Sequence, residues 1–332
     1  MTIRPIYEEY KQLGIDQQID YAKFYLYSII THSTAIEGST VTEVENRLLF
    51  DEGIGAQKPL IEQMMNLDLK TAYEQGVIYA RQYTEYSVDM LCGLSELVMR
   101  NTGSEYSTMA GNFSAAKGEL RLLNVSAGVG GRSYLSYQKV PERLEEFCQW
   151  LNAERKNLNV ADIEAIYDFS FEAHYRLVNI HPWADGNGRM SRLVMNMIQY
   201  EFDVVPSIVK KEKRKQYISS LEQSEEAEGS KIFKTFMLQH HCENLIKQIA
   251  EYRKSTEGIE PTVGSQKSSQ KSSQKIIELI EENAGITTQA MADSLGISRR
   301  AVAKAIAKLQ AEGIVRRIGP DKGGHWEIIK DE

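Results

Sequence analysis

NIHPWADGNGRMSR, residues 179–192, is the stretch on which the reading of this chain turns. Before it, Asp162 to Val178 sets Ile163, Ile166, Tyr167, Phe169, Ser170, Ala173, His174 and Leu177 along one broad stripe, the pattern of a helix with a buried face. After it, RMSRLVMNMIQY from Arg189 onward is a run of good helix formers. Gly186-Asn187-Gly188 permits backbone geometry closed to residues with a Cβ, so successive N–H groups can converge into an anion nest at the second helix's N-terminus. Backbone donors and the helix dipole both favour phosphate there. Arg189 and Arg192, three apart, share a helix face. Each can give charge-assisted hydrogen bonds worth roughly 1.5–3 kcal/mol to a phosphate oxygen.

Asp185 stands just before the nest, where polyphosphate would repel it unless Mg²⁺, a hard cation suited to oxygen ligands, bridges the two. His181 has an ordinary pKa near working pH and can take a proton from an incoming hydroxyl. Base, metal ligand, nest and two arginines together point to phosphoryl or nucleotidyl transfer. Each has a plainer reading: a lone histidine is usually structural, a GNG usually a turn, and paired helix arginines usually a solvated face. Five features within twelve residues outweigh those readings taken singly. The chain has no GxxxxGK[ST], kinase signature or HExxH.

Working outward, the pattern is mainly α. Residues 20–36 and 59–83 carry apolar residues at helical spacing, and Val140 to Ala153 sets Leu144, Phe147 and Leu151 on one face. Gly118 to Tyr137, GELRLLNVSAGVGGRSYLSY, breaks the pattern, its cluster of Gly128, Gly130 and Gly131 between two strand-like arms predicting a β-hairpin. Gly264 to Lys275, GSQKSSQKSSQK, has no apolar residue to bury and predicts a flexible tether. Beyond it, helices are expected at 275–283, 287–294 and 298–312, then arms Ile314–Ile318 and His325–Ile329 around PDKGG, as in a winged helix.

The 332 residues, 42% hydrophobic and 26% charged with a net charge of −7, describe a globular chain whose whole surface is not built for nucleic acid. Cys92, Cys148 and Cys242 are scattered without metal or redox spacing. His32, His240, His241 and His325 likewise show no ligand spacing, and His174, two turns before His181, is expected to support the core. MTIRPIYEEYKQLG lacks the apolar core of a secretory signal, and no stretch reaches the roughly 20 apolar residues of a membrane span, so a cytoplasmic location is expected.

HPWADGNGRMSR resembles the signature HPFx(D/E)GNGRxxR of the Fic family, with Trp183 in place of Phe. The likeness extends back through AHYRLVN and GELRLLNV, forward through RLVMN, and covers roughly residues 25–245. The resemblance implies a protein adenylyltransferase that moves AMP from ATP to a Ser, Thr or Tyr hydroxyl of a target protein, releasing pyrophosphate. By the same resemblance His181 is the general base and Asp185 holds Mg²⁺ between the α- and β-phosphates. Gly186, Asn187 and Gly188 cradle those phosphates, Arg189 binds the β-phosphate, Arg192 the γ-phosphate, and Asn196 contacts adenine. The 118–137 hairpin resembles the family's flap, which aligns a target segment by strand addition.

Ser33-Thr34-Ala35-Ile36-Glu37-Gly38 reads plainly as a helix end with a glycine cap. It also matches the family's inhibitory (S/T)xxxE(G/N) motif, in which Glu37 pairs with Arg192 and occupies the γ-phosphate's place. The domain organisation this implies is an N-terminal helical region over 1–100 with inhibitory helix 22–38, a Fic core over 101–250 with motif 181–192, a linker over 255–275 and a winged helix over 276–332. Other activities remain open at this point: AMP removal using the same glutamate, another nucleotide donor, or a DNA-binding regulator with a nucleotide-sensing core. For the last, Arg299, Arg300, Lys304 and Lys308 on the third helix and Arg316 and Arg317 beside the wing supply a basic face. A protein partner for the winged helix, and self-modification, are also compatible with the sequence.

Overall fold

The computed structural model describes residues 2–127, 133–256, 276–281, 283–295, 302, 306, 309–310, 314–318 and 325–329. Two compact units result, Met1–Lys254 and Ser255–Glu332.

In the first unit the described residues form helices α1 (Ile3–Gln12), α2 (Tyr21–Ile36), α3 (Glu43–Glu52), α4 (Leu60–Arg81), α5 (Val88–Met99), α6 (Val140–Arg155), α7 (Ile163–Ile180), α8 (Asn187–Glu201), α9 (Arg214–Glu226) and α10 (Lys231–Thr256). One core runs through them from Ile3 to Ile249. At its centre lies α8, with thirteen of its fifteen residues buried. A helix enclosed on every side must find a partner for each polar group it carries, and those partners build the site described below.

Local chemistry sets the ends of the helices that matter. The carboxylate of Asp162 caps α7 by accepting from the Ala165 N–H at 3.2 Å. At the other end His181 is the cap residue, in the left-handed region at φ 52°, and Pro182 stops the helix. Side chains between helices pin α2: Asn46 donates to Thr31 at 2.7 Å and to Asn66 at 2.8 Å, and Thr34 donates to Asn66 at 2.8 Å. Asn66 in turn donates to Ser39 at 3.1 Å. Arg214 donates to the Ile36 carbonyl at 2.6 Å, placing a cation on the α2 C-terminus.

Among the described residues the expected hairpin over 118–137 shows an antiparallel bridge, Ser126 with Ser133, beside the Tyr134 N–H to Val125 carbonyl bond at 3.0 Å. Its glycine cluster lies outside the described residues. The Asn124 side chain accepts from the Tyr137 N–H at 3.1 Å, a side-chain partner where a ladder would use a carbonyl. A two-stranded hairpin also forms upstream, where none was expected from the residue pattern. Strands β1 (Glu105–Thr108) and β2 (Gly111–Ser114) pair in antiparallel register, with Tyr106 stacked on Phe113 at 4.8 Å.

In the second unit residues 276–281 are helical, followed by α11 (Thr288–Leu295) and an antiparallel pair, β3 (Val315–Ile318) with β4 (His325–Ile328). Ile276, Ile280, Met291, Val302, Ile306, Leu309, Val315 and Trp326 close its core. This is the winged-helix pattern expected from sequence. Arg299, Arg300, Lys304, Lys308, the PDKGG tip and the Gly264–Lys275 tether lie outside the described residues.

Candidate active site

The turn between α7 and α8 is closed by its own side chains. Asn187 donates to the Trp183 carbonyl at 2.9 Å while accepting from the Trp183 N–H at 3.1 Å. The fully buried Trp183 indole donates to the Gly118 carbonyl at 3.0 Å, so its ring anchors the turn against the base of the flap. Gly186 sits at φ +81°, where a Cβ would also meet the Met99 sulfur at 2.8 Å. The first intrahelical bond of α8 is Met190 N–H to Gly186 carbonyl at 2.9 Å. The N–H groups of Asn187, Gly188 and Arg189 therefore precede the helix's own ladder, as an anion-binding N-terminus requires. Asn187 contributes its backbone there, because its amide is committed to the turn.

His181 donates from Nδ1 to the Val178 carbonyl at 3.2 Å. A carbonyl only accepts, so Nδ1 carries the proton and Nε2 of the neutral ring keeps its lone pair. Tyr134 of the flap stacks on the imidazole with centroids 3.8 Å apart. Burial, reinforced by the Arg121 guanidinium, pushes the His181 pKa down to about 4 against the opposing Val178 bond and the charges of Asp185 and Glu37. The ring is neutral at pH 7 and ready to accept.

Arg192 is the most heavily bonded group of the site. Its Nε donates to the Ser33 hydroxyl at 2.8 Å and its terminal nitrogens to the Ser33 carbonyl at 3.0 Å, the Glu37 carboxylate at 2.5 Å and the Tyr217 hydroxyl at 3.4 Å. Tyr217 continues the chain to His174 Nε2 at 2.8 Å. Burial alone would raise the Glu37 pKa, but Arg192 overrides it and holds the carboxyl below its usual range. Burial alone would likewise lower Arg192, and Glu37 with Tyr217 raises it instead. The pair is thus fully ionised. A Cβ on Gly188 would lie 2.6 Å from the Glu37 carboxylate and 3.1 Å from Arg192, so Glu37 rests directly over the first turn of α8.

A cavity of about 620 Å³ opens here, lined by Glu37, Tyr134, His181, Gly188, Arg192 and Tyr217 among others. Asp185, just before the nest, is exposed, one oxygen accepting from the Gly186 N–H at 2.6 Å and the other 3.6 Å from Arg189. One solvent-facing carboxylate beside the nest fits Mg²⁺, which keeps most of its waters and shares substrate phosphate oxygens.

Arg189 and Asn196 stand back from this cavity. Arg189 is buried against the end of α5, donating to the Val98 carbonyl at 3.4 Å, with one guanidinium nitrogen 3.1 Å from the Met99 sulfur. Asn196 lies one turn deeper, 1% exposed, accepting from Tyr73 at 2.8 Å and donating to Gln199 and the Ser207 carbonyl at 3.0 Å each. With those groups committed it does not line this cavity. Sequence reasoning missed Arg121, Tyr134, Arg214 and Tyr217. The signal for Arg121 was present, a single cation inside the apolar arm GELRLLN.

Residues 85–199 match the Fic/DOC family, and residues 270–316 match a winged helix-turn-helix DNA-binding family. A protein adenylyltransferase fic-1 from Caenorhabditis elegans is 28% identical over 201 residues, 60% of this chain and 36% of the relative. A protein adenylyltransferase Fic from Drosophila grimshawi is 30% identical over 202 residues, 60% of this chain and 38% of the relative. The chain thus matches little more than a third of the length of these relatives. Among solved structures, a Fic domain containing signaling protein from Bacteroides thetaiotaomicron superposes with a TM-score of 0.61 at 20% identity, covering 76% of this chain and 96% of that one. The fold of the helical unit is shared with that protein.

Proposed function

The chain carries a Fic/DOC domain followed by a winged helix-turn-helix domain, and from that premise we propose that it transfers AMP from ATP to a protein hydroxyl and is held back by its own Glu37. The observation that carries this reading is the Glu37–Arg192 bond, laid over Gly188 at the head of α8. A carboxylate fixed at the far end of a phosphate nest occupies the place of a terminal phosphate and competes for the same arginine.

In the proposed reaction the polyphosphate lies along the N–H groups of Asn187, Gly188 and Arg189, with Arg192 freed to meet the γ-phosphate. His181 Nε2 takes the proton of the target hydroxyl. The oxygen attacks the α-phosphorus, the bond from that phosphorus to the bridging oxygen breaks, and pyrophosphate leaves. The low His181 pKa keeps the base unprotonated, and the nearby polyphosphate charge raises its basicity when substrate is bound. Asp185 would hold Mg²⁺, which supplies charge neutralisation to the phosphates. Arg189 steadies the nest from the end of α5, and the 118–137 flap supplies backbone for a target segment. Among the described residues no helix is long and apolar enough to cross a membrane, which is compatible with the cytoplasmic reading.

AMP removal is the second reading, favoured by the Glu37 side chain remaining 33% exposed beside His181, where it could orient water. Duplex DNA is the reading that the winged-helix match favours for the second unit. Arg316 pairs with Glu327 there and Arg317 stacks on Trp326 at 4.7 Å, so the described wing cations have partners within the module. Duplex affinity that falls steeply with added salt would support it.

The transfer reading is tested with the Glu37→Gly variant, Mg²⁺, cell lysate and ATP labelled at either the α- or γ-phosphate. Protein labelling from the α position alone is expected. Labelling from the γ position would mean phosphoryl transfer and would overturn the proposal.

A further inference from the structure

Arg121 is 1% exposed and holds three separate pieces of the chain. Its guanidinium donates to the carbonyls of Leu123 on the first flap arm at 2.7 Å, Leu135 on the second arm at 2.5 Å, and His181 at 2.7 Å. Its backbone N–H donates to the Pro182 carbonyl at 3.1 Å. Both carbonyls of the His181–Pro182 step are therefore gripped by one residue.

That grip falls where the backbone most needs it. His181 has φ 52° and ψ 62°, a left-handed conformation that residues with a Cβ resist, and the following proline further restricts it. Such a conformation persists only when its surroundings over-determine it. The α7 ladder supplies one restraint, the His181 N–H to Leu177 carbonyl at 3.1 Å. Arg121 adds two more, at the carbonyls of His181 and Pro182. Because the same guanidinium closes the two flap arms, the flap's spacing and the direction of the imidazole depend on one planar fork.

We propose that Arg121 is a positioning residue that couples the flap to His181, so that a target segment seated on the flap arms meets an imidazole already aimed at its hydroxyl. Lysine retains the charge but carries one nitrogen, which cannot serve three divergent carbonyls in a plane. The coupling therefore fails in Arg121→Lys while the α8 nest and Arg192, which Arg121 does not touch, are left intact.

The test compares Glu37→Gly with Glu37→Gly/Arg121→Lys in the full chain. Melting temperature reports folding, a fluorescent ATP analogue reports nucleotide affinity, α-labelled ATP with lysate reports transfer, and ¹⁵N imidazole signals report the His181 tautomer. His181 signals are assigned by their loss in His181→Ala. Arg121→Lys is expected to cut the initial transfer rate at least tenfold with nucleotide affinity changed less than twofold, and to convert the Nδ1–H tautomer into a mixture. Unchanged His181 signals, or an unchanged rate, would overturn the proposal, as would nucleotide affinity falling in parallel with the rate. The rate readout rests on the transfer reading, whereas the imidazole signals do not. Absence of labelling in the Glu37→Gly parent would therefore count against the transfer reading alone, with the clamp still decided by the spectra.

Discussion

Glu37 and Arg192, 155 positions apart in the chain, meet at 2.5 Å with the carboxylate resting over Gly188. Neither residue is held by this contact alone. Ser33 takes two guanidinium bonds, Tyr217 a third, and Arg214 fixes the end of the helix that carries Glu37. The proposed brake thus rests on the α2–α8 packing, and its parts are separable by mutation.

Ser33→Ala removes the acceptor of the Arg192 Nε–H, leaving a buried cationic donor with one bond fewer. It is expected to lower stability by about 1–3 kcal/mol, with far less activation than Glu37→Gly, because the carboxylate stays in place. Urea unfolding and AMP transfer measured on the same preparation check both halves. Activation equal to that of Glu37→Gly would place the brake in Ser33.

Gly188→Ala brings a Cβ to 2.6 Å from the Glu37 carboxylate, whose displacement breaks the Arg192 bond. The expected loss is about 1–3 kcal/mol in the native background. In Glu37→Gly the obstructing atoms are gone, leaving the milder 3.1 Å approach to Arg192. A double-mutant cycle should therefore show coupling of about 1 kcal/mol, and strict additivity would contradict the geometry.

Acid should unfold the helical unit early. Burial holds His181 and His240 down to about 4, His241 to about 3, and His174 well below its ordinary 6.5. Each folded pKa is depressed, so below 6.5 the unfolded chain binds protons that the folded chain refuses. Stability is full above that pH and is lost as pH falls from 6.5 through 4. The three groups held at about 4 or 3 give a slope of up to about 4 kcal/mol per pH unit near pH 5, and His174 acts in the same direction. Unfolding midpoints measured from pH 7.5 to 4.5 test this, and a flat profile would show that these histidines are not buried neutral.

Tyr217→Phe leaves His174 Nε2 without its partner and Arg192 with one acceptor fewer. A loss of about 1–3 kcal/mol is expected, measurable by thermal unfolding at pH 7.5. A neutral result would mean that water replaces the hydroxyl.

What the sequence made legible was chemistry with a strict spacing. The GNG turn, the position of His181 before a proline, and the glutamate at the end of α2 each depend on a few adjacent residues, and the structure brings them to one cavity. The wing arms were legible through alternation around a glycine turn. What could not be read was depth. Helical spacing puts Asn196 one turn past Arg192, but only the packing of Tyr73, Gln199 and Ser207 around it shows it sealed from the cavity. Helical phase likewise sets Arg189 three residues before Arg192, but does not show that Arg189 is buried against the α5 terminus. The β1–β2 hairpin escaped because strands of four residues carry too short an alternation to stand out. The flap's arms do pair antiparallel, at Ser126 with Ser133, and Asn124 and Arg121 add side-chain bonds to them that alternation alone does not show.

The most direct test of the account compares the native chain, Glu37→Gly, and Glu37→Gly/His181→Ala with α-labelled ATP, Mg²⁺ and lysate. An ion pair worth about 3 kcal/mol holds the competent fraction down roughly a hundredfold, so Glu37→Gly should label proteins about a hundred times faster than the native chain, and the double variant not at all. Equal labelling by the native chain and Glu37→Gly, or labelling that survives the loss of His181, would contradict it.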